Sequence, residues 1–111
     1  FYSSQTGTIE PLKTRGVCLG IDRDKGFASC LEEKSIPVKS GDVLLLYSDG
    51  ITEAMNANHH LFDQSRLESA LKESARFPAD KIVERINLRL DEFVQSEEPH
   101  DDVTMVAIKV K

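Results

Sequence analysis

Val43-Leu-Leu-Leu-Tyr47 is the longest unbroken apolar run in the chain, and Ser48-Asp49-Gly50 ends it. The run is far too short to cross a bilayer, which takes about 20 apolar residues. Apolar side chains at successive positions, rather than at alternate ones, are the pattern of a strand buried from both sides. Asp-Gly supplies a turn at its end, and the polar stretch Val38-Lys-Ser-Gly41-Asp42 supplies one at its start. A strand of this kind needs covering layers, and the flanking sequence has to provide them.

Two helical patterns come after it. Asp63 is placed to cap the first, with Leu67, Ala70, Leu71 and Ala75 on one face. Glu68 and Lys72 form a favourable i,i+4 pair on the other face. Pro78 suits the first turn of the second helix, and Asp80 favours its positive N-terminal end. Ile82, Val83, Ile86, Leu90, Phe93 and Val94 then recur at helical spacing, a core-facing stripe that Pro99 closes. An acidic loop over residues 97–102 leads into a last strand, 103–110, rich in β-branched residues.

The N-terminal part reads as extended segments and turns. Phe1-Tyr2 is the tail of a strand, and Thr6-Gly7-Thr8-Ile9 a hairpin connection in which Gly7 takes positive φ. Pro11 confines the next segment to an edge or a loop, and residues 16–20 form a tight loop. Residues 27–31 and 36–38 are short strand candidates, 51–55 a short helix, and 56–60 a polar surface loop. The order of elements predicts an α+β fold, with helices packed on one face of a mostly antiparallel sheet.

At 111 residues the chain holds one domain at most, and 40% apolar against 30% charged residues is the balance of a globular protein. Fourteen basic against 19 acidic side chains leave a net charge of −5, which argues against a nucleic-acid or anionic-membrane surface. No secretory signal pattern stands at the start, and Cys18 and Cys30 form no metal or redox motif, so a cytoplasmic protein with reduced thiols is expected. The first residue is Phe1, as in a segment of a longer protein.

The candidate chemistry lies in carboxylates. Asp49 comes directly after the apolar strand, and Asp101 and Asp102 stand just before the last one. If the two strands pair antiparallel, these aspartates share one sheet edge, where close carboxylates repel unless a cation lies between them. Oxygen-only donors suit Mg²⁺ or Mn²⁺, and Gly50 lets the backbone turn close to such a site. Spacing alone is also compatible with an ordinary Asp-Gly turn and a solvated acidic loop. Glu53 and Asn56, one turn apart, either support the site or cap the short helix. Arg66 and Lys72 either meet a phosphoprotein or form a solvated helix face. His59 and His60 are adjacent and point apart, as in a surface loop rather than a zinc site.

Val38-x-x-Gly41-Asp42-Val-Leu-Leu-Leu-Tyr47-Ser-Asp49-Gly50-Ile-Thr-Glu53-Ala-x-Asn56 resembles the "pGD-LLLYTDGvtEA-N" segment of PPM-type (PP2C-like) serine phosphatases, in the branch of the SpoIIE/RsbU group. Leu61-Phe62-x-x-x-Arg66-Leu67 is similar to that group's "eFG--RL" helix start, His100-Asp101-Asp102-Val103-Thr104 to its "DD-T" motif, and Gly16-x-x-Leu19-Gly20 to its "G-PLG" loop. Each motif is weak alone; four in the right order are specific. Ser48 stands for the usual threonine, Asp63 for the glycine after Phe62, and Cys18 for the proline before Leu19. The family's upstream "GD-SGHG" and "GH-PP" segments have no counterpart, so the resemblance is to the C-terminal portion of the domain, over residues 1–111.

The resemblance implies a partial α-β-β-α sandwich with metals at one edge. It makes Asp49 and Asp101 metal ligands, with Asp102 in support; Gly50 and Glu53, from their positions beside Asp49, are the further supporting candidates. In the intact domain two Mn²⁺ or Mg²⁺ ions would lower the pKa of a bridging water for attack on a phosphoserine or phosphothreonine. The implied substrate is a phosphorylated anti-anti-sigma (STAS-like) protein in bacterial signalling. The segment alone, short of ligands, is expected to be inactive, and its uncovered strands to self-associate. The competing expectation is a noncatalytic interaction module of the same fold.

Overall fold

The computed structural model describes residues 1–16, 27–95 and 102–111. Its elements are strand β1 (Val43–Tyr47), a one-turn helix α1 (Asp49–Thr52), helices α2 (Asp63–Ser74) and α3 (Ala79–Val94), and strand β2 (Met105–Lys109). β1 and β2 pair antiparallel, in a register that runs from Val43 opposite Lys109 to Tyr47 opposite Met105. The fold is therefore α+β, a partial form of the α-β-β-α arrangement, with its helices against one face of the sheet.

The other edge of β1 is also occupied. Tyr2 and Val43 exchange backbone hydrogen bonds of 2.8 and 3.0 Å, and Tyr2 bridges Ile9 within an N-terminal hairpin. The hairpin turns through Gly7 at φ +65°, and the Gly7 N–H donates to the Ser3 carbonyl at 2.9 Å. β1 is thus the centre of the sheet.

Helical spacing in α2 and α3 becomes the core directly. Leu67, Ala70 and Leu71 from α2 and Ile82, Ile86 and Leu90 from α3 are buried together with Val43, Leu45, Ile51 and Phe62. Met105 and Ala107 on β2 pack against this cluster. Lys109 lies on the same face of β2 as these two, and its ammonium donates to the carbonyls of Ala75 and Phe77 at 2.6 and 2.9 Å. Those carbonyls lie just past the end of α2, where the helix dipole favours a cation.

Three expectations change. β1 is buried on one face, not two: Leu46 is 49% exposed, and its sheet-face neighbours Val106 and Ile108 are each 51% exposed. The apolar run reflects a face that no layer among the described residues covers. Residues 27–30 form a 3₁₀ turn rather than a strand, and residues 36–38 are outside any strand. Leu31 and Val38 there are exposed, and Pro37 lacks the N–H that a ladder requires. The tight loop expected over 16–20 and the acidic loop over 97–102 fall mostly outside the described residues.

Candidate metal-site edge

The ladder decides what meets what. Since Tyr47 lies opposite Met105, the residues after β1 face the residues before β2. Ser48 continues the pairing by one position: its N–H donates to the Thr104 carbonyl at 3.0 Å. Its hydroxyl donates to the Asp102 carbonyl at 3.1 Å and accepts the Thr104 N–H at 3.0 Å. Asp49 and Asp102 are thereby held at one edge of the sheet, and both are exposed. Asp101 lies outside the described residues.

Asp49 opens α1. Its carbonyl accepts the Glu53 N–H at 2.8 Å and the Thr52 hydroxyl at 3.2 Å, which leaves the carboxylate facing solvent. Gly50 is buried beneath it, next to Ile51 in the core. Glu53 is exposed and closes the helical turn through its backbone. Asn56 has a different task from either one expected. Its side-chain oxygen accepts the N–H groups of Asn58 and His60, both at 3.0 Å, and so shapes the loop that presents His59 and His60 to solvent.

Arg66 is committed internally. Its guanidinium pairs with Asp63 at 2.8 Å, donates to the Leu61 carbonyl at 3.2 Å and stacks 4.9 Å from the Phe93 ring centroid. Asp63 caps α2 as the sequence indicates, its carboxylate accepting the Arg66 N–H at 3.0 Å. It does so at φ +60°, the left-handed region that glycine adopts without strain. A groove of about 370 Å³ between α2 and α3 is lined by Phe62, Ser65, Arg66, Glu73, Arg89 and Phe93 among others, and lies apart from Asp49, Gly50, Glu53 and Asp102.

The residue that sequence reasoning missed is Asp42. It is only 3% exposed, yet it accepts the Lys39 N–H at 2.7 Å, the Ser4 N–H at 2.8 Å and the Ser4 hydroxyl at 3.0 Å. The backbone N–H of Ser4, then that of Lys39, holds its carboxyl below the usual aspartate range. The signal was the Gly41-Asp42 turn; its distant partner Ser4 was not legible. Gly41 has φ +90°, and a Cβ there would lie 3.0 Å from the Ser4 Cβ, so the turn and the hairpin fit only around glycine.

The donor chemistry at the Asp49 edge is oxygen, which fits a hard divalent cation. Among the described residues no three His, Cys, Asp or Glu side chains are grouped to hold an ion. No helix among them is long and apolar enough to cross a membrane.

An α+β unit whose two paired strands bring Asp49 and Asp102 to one edge is consistent with part of the fold of PPM-type phosphatases. A family model described as stage II sporulation protein E (SpoIIE) matches residues 1–111, and the chain belongs to that family. It is 31% identical over 117 residues to phosphoserine phosphatase RsbU of Bacillus subtilis, across 100% of this chain and 31% of that protein. It is 28% identical over 109 residues to protein IcfG of Synechocystis sp., across 97% of this chain and 16% of that protein. The chain thus spans less than a third of either relative. No solved structure matches it.

Proposed function

We propose that this chain is the C-terminal portion of a metal-dependent protein serine/threonine phosphatase domain. Its substrate is phosphoserine on a regulatory, anti-anti-sigma (STAS-like) protein in the bacterial cytoplasm. The observation that best supports the reading is the β1–β2 register, which turns two motifs some fifty residues apart in sequence into neighbours. Asp49 and Asp101 supply anionic oxygen to Mn²⁺ or Mg²⁺, and Asp102, Gly50 and Glu53 shape the surrounding backbone. When bound, such ions supply Lewis-acid activation of water and neutralise phosphoryl charge. The chain's own part is to hold carboxylate charge at a solvent-facing edge that a phosphoprotein can reach.

The exposed strip of Leu46, Val106 and Ile108 belongs against another apolar layer. In the isolated chain that layer is a second copy, so light scattering should report self-association. The function itself is tested by assaying the complete protein and residues 1–111 against a phosphoserine protein with Mn²⁺. Turnover by the complete protein, with little or none by the segment, is expected. Lack of Mn²⁺-dependent turnover by the complete protein would favour a noncatalytic interaction module.

A further inference from the structure

The ladder between β1 and β2 ends at the Tyr47–Met105 pair, short of Asp49 and of the segment that precedes β2. Ser48 continues the alignment, and mostly through its side chain. A hydroxyl carries one proton and two lone pairs, so it can donate and accept at once. Ser48 does both: it donates to the Asp102 carbonyl and accepts the Thr104 N–H, while its own N–H holds the Thr104 carbonyl. Three hydrogen bonds from one residue thus grip the backbone on both sides of Val103.

We propose that Ser48 is a positioning residue for the metal edge, its hydroxyl clamping residues 102–104 so that the segment entering β2 is registered against Asp49. The inference rests on the reading that Asp49 and Asp101 hold a divalent ion. It goes beyond that reading by assigning the offset between Asp49 and the backbone of residues 102–104 to a side chain that touches neither the ion nor the substrate.

The bonds differ in what they do for stability and for placement. Asp102 and Thr104 are exposed, so water can replace the hydroxyl at both backbone groups at small cost. Water cannot hold the two groups at a fixed offset from Asp49. Removing the hydroxyl should therefore loosen the site far more than it destabilises the fold. A threonine keeps the hydroxyl and should keep the clamp.

The test uses the complete protein and Mn²⁺ alone, with binding read by calorimetry and by the electron paramagnetic resonance of the free ion. Ser48→Ala should weaken Mn²⁺ binding about 10-fold, the scale seen when a residue that orients metal ligands is lost. Its metal-free melting temperature should stay within about 2 °C, the scale of a lost exposed hydrogen bond in a large domain. Ser48→Thr should restore the affinity. Parental Mn²⁺ affinity in Ser48→Ala, or a loss that Ser48→Thr fails to restore, would overturn the clamp. A fall in metal-free melting temperature large enough to account for the lost affinity would make Ser48 a fold residue and overturn it equally. Asp49→Asn and Asp101→Asn separate the two levels. If they abolish binding and Ser48→Ala does not weaken it, only the clamp fails; if they leave binding intact, the metal reading fails and the clamp with it.

Discussion

Two aspartates flank the same five-residue strand and have opposite fates. Asp42, before β1, is buried and its carboxylate is surrounded by donors from Ser4 and Lys39. Asp49, after β1, is exposed and spends its backbone, not its carboxylate, on the local turn. The difference teaches how a carboxylate becomes structural. Where a second segment crosses the strand end and offers N–H groups, the charge is consumed in stitching the two together. Where the neighbouring segment brings Asp102 instead, the carboxylate stays exposed to solvent.

The contrast can be broken most decisively at Asp49. In the complete protein, Asp49→Asn should lower Mn²⁺-dependent phosphoserine hydrolysis at least about 100-fold, given what metal-ligand loss removes. Its melting temperature should match the parent's, and an unchanged rate would remove Asp49 from the proposed site. Asp42→Asn should do the reverse. It should give the larger fall in melting temperature of the two, because an amide can no longer accept at both oxygens, while the rate per folded molecule stays within about twofold, as for sites away from the chemistry. A calorimetric scan beside a single-turnover assay reads both.

The pH dependence sharpens the same contrast. Asp42 has its folded pKa lowered, so its contribution to stability is fully present above its unfolded value of about 4 and is lost as pH falls through the lowered folded value. Acid unfolding of the parent should therefore carry a component that Asp42→Asn lacks. Identical acid-unfolding curves for the two proteins would count against it.

The smallest effect belongs to a third aspartate. Asp63→Gly loses a helix cap and an exposed pair with Arg66, but relieves a positive φ. A cap contributes about 1 kcal/mol, and a left-handed non-glycine residue costs a similar amount, so a net change within about 1 kcal/mol is expected in denaturant titration. A loss of several kcal/mol would show that the Arg66 contacts to Leu61 and Phe93 depend on the carboxylate.

The sequence carried the helices and the strand pairing because their signals are local or periodic. The spacing of Ile82, Ile86 and Leu90 is itself the buried face of α3, and the β-branched residues near the end form the partner of β1. Periodicity could not show what lies on the far side of a sheet. The run Val43–Tyr47 reads as doubly buried, yet Leu46 faces solvent. The strands expected at 27–31 and 36–38 had apolar residues, but residues 27–30 close into a 3₁₀ turn and Pro37 lacks the N–H that a ladder requires. Asp42 was hidden for a related reason: its donor Ser4 is remote along the chain, and no spacing rule links them. At the candidate site, Asp49, Gly50 and Glu53 were legible from the turn after β1, whereas the Ser48 hydroxyl emerges only from the register.

The register also sets an order of assembly. The hairpin through Gly7 and the α2–α3 pair can form from neighbours in the chain, but Val43 must wait for Lys109. Closing so long a loop before any pairing is gained is slow, and contacts of this kind tend to set the folding rate. On a ribosome, β1 would emerge long before its partner, with one edge guarded by Tyr2 and the other bare. The two halves of the proposed metal edge would then meet only at the last stage of folding.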